Sequence, residues 1–453
     1  MELKSKLNLT KIKVIIKDNQ LTTTEKIIHF LKNSQYQYSY FDLSKIAENA
    51  NQLRTENSAY YTDEELLTLI EKELPDIKKD TIRILEPSVG VGNFLPILFR
   101  KYRSSKLIID VVDIDKDSLE ILKTLLELYK VPNNVKINYY GHDFCDWKIN
   151  KHYDLAVGNP PFSKIKKTYF ERIDLKYFQN LKSTNLASYF YEKCLYCSDV
   201  VCMVMPKNIL NTPEFCDTRK YLQTKDVQAI VDFGEKGFKG VLVETICIKT
   251  SNVTKGDYTD VYSLTKKIKV KQLHDYIFDN QMPYWIIYRN SFFDTFADSL
   301  ELNVFSFFRD RQLTTKNTTK ENEAIRVLKS RNISDDGQRV INIKGYDEYI
   351  STEEVENKLV YSYLNKENVY LTPNMTYKTR LMAKPNGCLV NGSVAILIPK
   401  RNIMLSKEDL LFFSSDNYRE YMQIARNYQT RTLNIDSTSI FFYGIKKAKA
   451  IEK

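Results

Sequence analysis

The chain has 453 residues, 43% of them hydrophobic, enough to bury two or three domain cores, which excludes an intrinsically disordered protein. Lys and Arg total 67 against 57 Asp and Glu, and the resulting formal charge of +10 fits a polyanionic partner. Seven scattered cysteines with no zinc-type double pair read as reduced thiols. Lys4, Lys6, Lys11 and Lys13 break up the N-terminal apolar runs, which excludes a signal-peptide core, and a soluble, cytoplasmic protein free of membrane spans is expected.

In chain order, helical patterns at Thr24 to Lys32 and Leu43 to Asn51 form an N-terminal extension over 1–50. From Ile82 the pattern changes to strand-length apolar runs alternating with helices. IRIL (82–85) is followed by a helix from Asn93, and LIIDVVD (107–113) by a helix from Lys116. VKINYY (135–140) and YDLAVG (153–158) read as strands. A helix over Leu186 to Ser198 leads into the strand DVVCMVMP, and one over Glu214 to Gln223 into VQAIVDFG, before the strand VLVETICIKT. Such alternation predicts a mainly parallel sheet covered on both faces. After Ser251 the rhythm stops, and the polar stretch from Arg309 to Asn322 reads as a linker or loop near the start of a second domain.

Four of these junctions carry chemistry. The first strand runs into Glu86-Pro87-Ser88-Val89-Gly90-Val91-Gly92-Asn93-Phe94, where glycines at 90 and 92 let a ligand approach the backbone at a parallel strand's carboxyl end. It is neither GxGxxG nor a P-loop. Asp113 ends the second strand, at the place where a carboxylate accepts from two ribose hydroxyls, and Asp115 is placed to cap the following helix. Asp143-Phe144 after the third strand pairs a carboxylate with a ring, a set that suits an adenine amino group and face. The fourth strand stops at Asn159-Pro160-Pro161-Phe162. There the Asn159 side-chain carbonyl and the Pro160 backbone carbonyl can bind both hydrogens of a planar amine and favour a pyramidal nitrogen. The prolines hold those acceptors before the substrate arrives, and Phe162 offers a ring face to the base.

With Ala59-Tyr60-Tyr61-Thr62 before the glycine turn, these motifs occur in the order found in gamma-class N(6)-adenine DNA methyltransferases of type II restriction-modification systems, which the chain resembles over roughly residues 50 to 250. The resemblance implies a Rossmann-like class I S-adenosylmethionine-dependent methyltransferase domain over 51–265, a connecting segment over 266–302 and an α+β target recognition domain over 303–453. It implies that Tyr61 and Thr62 pack on the cofactor's methionine end, although Asp63 stands where the family has proline. Glu86, Pro87, Gly90, Gly92, Asp113, Asp143, Phe144 and Asn159 would complete the cofactor site, with Asn159, Pro160 and Phe162 catalytic. Phe238 would sandwich a flipped base opposite Phe162. No metal is implied, because the cofactor's sulfonium already makes its methyl group electrophilic.

Beyond residue 303, IRVLKSRNI, VYLTPNMTYKTRLMAKPNGCLVNGSVAILIPK and ARNYQTRTLNIDSTSIFFYGI look like target recognition segments, and Arg380, Gln429, Arg431 and Asn434 are of the types that read base edges in double-stranded DNA. A cognate restriction endonuclease would be a separate chain. Four other readings stand beside this one: a modification subunit of a multi-subunit restriction system, an rRNA methyltransferase, a protein-glutamine methyltransferase and a catalytically dead DNA-binding module on a methyltransferase scaffold.

Overall fold

A computed structural model describes residues 7–35, 37–51, 64–235, 243–321, 325–374, 378–429 and 435–447. The chain divides into two compact units, Met1–Asp275 and Tyr276–Lys453. Among the described residues no helix is long and apolar enough to cross a membrane.

The first unit opens with helices α1 (Leu9–Asp18), α2 (Thr24–Ser34) and α3 (Tyr40–Ala50). Asn8, Thr23 and Ser39 cap them, each accepting an amide that the first turn leaves without an intrahelical acceptor. The sequence pattern anticipated α2 and α3 but not α1, whose apolar stripe is interrupted by Lys11, Lys13 and Lys17. Apolar residues of all three helices, including Ile12, Leu31 and Ile46, cluster with Ile121 and Leu125 of the helix Lys116–Tyr129. The N-terminal segment is thereby an outer layer of this unit.

The remaining elements are α4 (Glu64–Glu73), β1 (Thr81–Glu86), α5 (Leu95–Lys101), β2 (Lys106–Asp113), α6 (Lys116–Tyr129), β3 (Val135–Gly141), β4 (Tyr153–Gly158), α7 (Leu186–Cys197) and β5 (Ser198–Pro206). They continue with α8 (Cys216–Gln223), β6 (Asp226–Gly234), β7 (Thr245–Ser251), β8 (Tyr258–Ser263) and β9 (Lys269–Leu273). The nine strands form one sheet in the order β3-β2-β1-β4-β5-β7-β6-β8-β9. From β3 to β5 every pairing is parallel, and β4 is buried along nearly its whole length, as strands covered on both faces are. The core joins Ile82, Ile84, Leu107, Ile109, Leu155 and Val157 from the strands to Leu95, Leu98 and Leu122 from the helices. Each such side chain contributes roughly 1.5–3 kcal/mol by leaving water.

Two features depart from a simple parallel reading. The strand anticipated in VLVETICIKT is β7, and it lies antiparallel between β5 and β6, because the connection after Gly234 is too short for a parallel crossover. The sheet also continues past residue 265, since β8 and β9 form a hairpin along its edge down to Leu273.

The second unit holds a four-stranded and a three-stranded sheet around Val327, Leu328, Ile350, Leu371, Leu389 and Ile396. Two helices, Ser291–Asp298 and Asp416–Ala425, meet through an aromatic cluster of Phe293, Phe296 and Tyr421. The polar stretch after Arg309 lies inside this unit, where the buried Asp310 accepts from the Gln312 and Leu313 amides.

Candidate functional site

Strand order reverses on either side of β1, between its neighbours β2 and β4, and in open α/β sheets ligands bind outside the carboxyl ends of strands at such a point. A cleft with about 1030 Å³ of empty space, its mouth included, opens there. Its walls come from the ends of β1 (Pro87, Ser88, Val89, Asn93), β2 (Asp113, Ile114), β3 (His142, Asp143, Phe144) and β4 (Asn159, Pro161).

The glycine turn is wound as its composition requires. Gly90 and Gly92 sit at φ of 54° and 82°, and a Cβ on Gly92 would lie 2.5 Å from Leu122 Cδ1. Asp113 holds the turn by accepting the Gly90 amide at 2.7 Å on one oxygen, while its other oxygen accepts the Asp115 amide at 2.9 Å. Asp115 caps α6 as expected, accepting the Asp117 amide. Ile114, between the two aspartates, is 60% exposed and lines the cleft, an apolar side chain left uncovered where a flat ligand would cover it.

Glu86, the last residue of β1, is 1% exposed, and neither carboxylate oxygen has a hydrogen-bond partner among the described residues. Burial, with the Asp113 charge adding to it, pushes its carboxyl well above the usual carboxylate range. The buried Tyr40 hydroxyl on α3 is likewise without a partner among the described residues, and its titration is raised above the ordinary phenol range by burial first and then by Glu86. A buried carboxylate with no donor is costly unless a ligand completes it.

Asp143 accepts the Tyr169 hydroxyl on both oxygens, at 2.7 and 3.0 Å, and the Cys145 amide at 3.0 Å. Phe144 is buried against Phe190, ring centroids 5.0 Å apart. The loop carrying both is clamped from α7 by Lys193, whose buried ammonium donates to the carbonyls of Phe144, Cys145 and Trp147 at 2.6–2.8 Å. Burial holds that ammonium below its ordinary pKa.

Beside the glycine turn, β4 delivers the tetrad. Its register on β1 pairs Ile84 with Leu155 and Leu85 with Ala156, and a Cβ on Gly158 would sit 3.2 Å from Pro87 Cδ. The Ser88 hydroxyl donates to the Asn159 carbonyl at 3.1 Å, tying the tetrad to the turn. Phe162 is half-buried and packs against the central core.

The structure thus brings Pro87, Asp113, Asp143, Phe144 and Asn159 to one cleft, with Glu86, Gly90, Gly92, Pro160 and Phe162 in the segments that build it. Tyr61, Thr62, Phe238, Arg431 and Asn434 lie outside the described residues. Arg380 and Gln429 are both buried in the second unit. Arg380 donates Nη1 to the Lys378 carbonyl and Nη2 to the Ser330 carbonyl, each at 3.1 Å. Sequence reasoning missed Glu48, which lines the cleft from α3 and accepts from Asn93 at 3.0 Å. It also missed Tyr169 and Lys193, because nothing in their local sequence distinguishes them from surface residues.

The donor set fits S-adenosylmethionine. A buried carboxylate without a donor matches an ammonium group, a strand-end aspartate a ribose diol, and Ile114, Asp143 and Phe144 an aminated aromatic ring.

Comparison with known proteins bears on the same region. The family model of the Eco57I restriction-modification methylase matches residues 4–238. The Type II methyltransferase M.CvrRI of Paramecium bursaria Chlorella virus XZ-6E is 26% identical over 226 residues, covering 48% of this chain and 54% of the relative. The chain therefore spans about half the length of that curated relative. Among solved structures, the type IIG restriction endonuclease BpuSI superposes with a TM-score of 0.51 at 14% identity, over 92% of this chain and 62% of that one. A class I S-adenosylmethionine-dependent methyltransferase from Listeria monocytogenes gives 0.44 at 15% identity, over 56% and 90%. The fold is that of the class I methyltransferases, whose cofactor is S-adenosylmethionine, and the chain belongs to the Eco57I restriction-modification methylase family.

Proposed function

We propose that the chain is a site-specific DNA adenine methyltransferase acting on the exocyclic amino nitrogen of a base extruded from double-stranded DNA. The observation that carries this reading is the junction of Asn159-Pro160-Pro161-Phe162 with the cofactor cleft, with the Ser88 hydroxyl donating to the Asn159 backbone carbonyl. When bound, the cofactor supplies an electrophilic methyl group. The protein's part is to present a poor nucleophile correctly. Asn159 and the Pro160 carbonyl bind the two amino hydrogens, and the proline-fixed backbone keeps them in place, so little orientation remains to be lost on binding.

On the cofactor side, Glu86 is assigned to the ammonium, Asp113 to the ribose hydroxyls, and Asp143 with Phe144 and Ile114 to the adenine. Tyr61 and Thr62 are assigned to the methionine end. A stacked adenine cannot reach this turn, so the base must leave the duplex at a cost of a few kcal/mol. Phe162 and Phe238 are proposed to return about 1–3 kcal/mol per ring by stacking. The second unit is proposed as the target recognition domain, with Arg431 and Asn434 as base readers. For Arg380 and Gln429 the same role requires release from their buried positions. A separate cognate nuclease and a cytoplasmic location complete the reading.

The test is expression in a methylation-deficient host followed by single-molecule sequencing of its DNA. N6-methyladenine confined to one sequence motif is expected, and unmodified DNA beside methylated rRNA or release factor would move the reading to those rivals. Methylation by the purified single chain separates it from a modification subunit that depends on a partner.

A further inference from the structure

The segment directly after the tetrad is a fastened ledge that exposes cations. Residues 163–183 contain six Lys and Arg against two acidic residues, a formal +4 out of the chain's +10 in 21 residues. Its neck is closed where Ile165 donates to the Thr184 carbonyl at 2.7 Å and Leu186 to the Ser163 carbonyl at 2.9 Å, with Lys164 bridged to Asn185.

The inner face is held throughout. Tyr169 reaches Asp143, Phe170 and Phe178 pack on Tyr189 at 5.6 and 5.1 Å, and Ile173 and Tyr177 are buried. The Gln179 and Asn180 amides donate to Glu192, and Asn180 Nδ2 donates to the Glu214 carbonyl at 2.8 Å. Lys164, Lys166 and Arg172 of the same segment are all exposed and without a carboxylate partner among the described residues. Lys176 and Lys182 differ from them, being paired with Asp174 and Asp217. Among the described residues the charges of these three side chains make no ion pair within the fold, although their segment is fastened to the turn that carries the tetrad.

We infer that this ledge is a sugar-phosphate clamp, in which Lys164, Lys166 and Arg172 neutralise backbone phosphates of the strand that carries the target base. The inference rests on the DNA reading above and adds where the catalytic unit itself grips the polyanion. Phosphate contacts set register without reading sequence, and an extruded nucleotide needs its flanking backbone held. A ledge rooted at Phe162 puts that grip next to the base.

The experiment compares the full chain with a Lys164→Ala/Lys166→Ala/Arg172→Ala variant. Binding to a random-sequence DNA duplex is followed by fluorescence anisotropy over ~50 to 200 mM salt. Three lost phosphate contacts should flatten the slope of log K against log salt by about 2.7, with affinity at ~0.1 M falling on the order of 10²-fold. S-adenosylmethionine affinity by calorimetry should stay at the wild-type value, which excludes misfolding, and Lys164→Arg/Lys166→Arg should keep the wild-type slope. An unchanged slope in a variant whose parent binds DNA overturns the clamp alone. A parent that fails to bind duplex DNA, or prefers a structured RNA of equal length, overturns the DNA reading and the clamp with it.

Discussion

In the second unit, Arg380, Lys384 and Lys329 are all more than nine-tenths buried, and each is supplied with protein acceptors. Arg380 takes two backbone carbonyls, Lys384 those of Leu364 and Pro385, and Lys329 the Glu348 carboxylate at 2.7 Å. Burial lowers the Lys384 ammonium to about 8. In the first unit Lys193 and Lys207 are satisfied in the same way, Lys207 by Asp232 at 2.8 Å and Glu244 at 3.4 Å, but Glu86 is buried with no donor among the described residues. Buried charges met by the chain hold a fold together, whereas the buried Glu86 carboxyl, next to Pro87 of the cleft wall, is proposed as the group that a ligand completes.

The comparison breaks most visibly at the buried ions. Lys207→Met leaves Asp232 and Glu244 without their shared cation and should cost about 3–5 kcal/mol in denaturant unfolding. Lys329→Met should cost less, because Lys320 also reaches Glu348 at 3.0 Å. Equal losses would show that the extra cation is irrelevant.

Next in size is Asn159→Ala. Removing one positioned acceptor should lower turnover on DNA by about 10²–10³-fold, comparable to losing an oxyanion-hole donor. Cofactor affinity by calorimetry should stay within a few-fold, and a variant that loses cofactor affinity but keeps turnover would reverse the assignment.

Glu86→Gln tests the buried carboxyl. Its carboxyl is raised in the folded state, so the fold binds the proton more tightly than the unfolded chain, and stability falls as pH rises above about 4.5. The amide variant should therefore melt higher than wild type at neutral and alkaline pH, and the difference should vanish below pH ~4.5. It should bind S-adenosylmethionine about 10- to 100-fold more weakly, as expected for a lost charge-assisted hydrogen bond of roughly 1.5–3 kcal/mol. The groups bearing on this titration are Asp113 and Tyr40.

Arg380→Ala sharpens the contrast from the other side. Losing a guanidinium that serves two backbone carbonyls should destabilise the chain by about 1–3 kcal/mol. A changed methylation motif with unchanged stability would return Arg380 to base reading. The smallest effect expected is that of Tyr169→Phe, which removes one donor from Asp143. Cofactor affinity should weaken by several-fold, about 0.5–1.5 kcal/mol, while turnover at saturating cofactor changes less. The reverse pattern would make Tyr169 part of the substrate side.

The legible part of the site was local. Glycines at 90 and 92, an acid ending β2 and a proline-locked turn ending β4 can be read from sequence because each chemistry is set by adjacent residues: positive φ, a strand end, a missing amide. The same holds for the β1 to β6 boundaries, where apolar runs alternate with helical patterns. Glu48, Tyr169 and Lys193 could not be read, since Glu48 meets Asn93 across 45 residues and Lys193 meets Phe144 across 49.

By itself, then, the sequence determined the strand-to-turn chemistry, the order of the motifs and the parallel half of the sheet, because period and turn residues act over a few positions. Only the tertiary structure decided that β7 turns back antiparallel, that α3 lends Glu48 to the cleft, that Glu86 finds no donor among the described residues while Arg380 finds two carbonyl acceptors, and that Lys164, Lys166 and Arg172 after Phe162 are exposed. Those outcomes depend on which distant side chains share a buried volume, and burial sets whether a charge is a tie within the fold or an opening for a ligand.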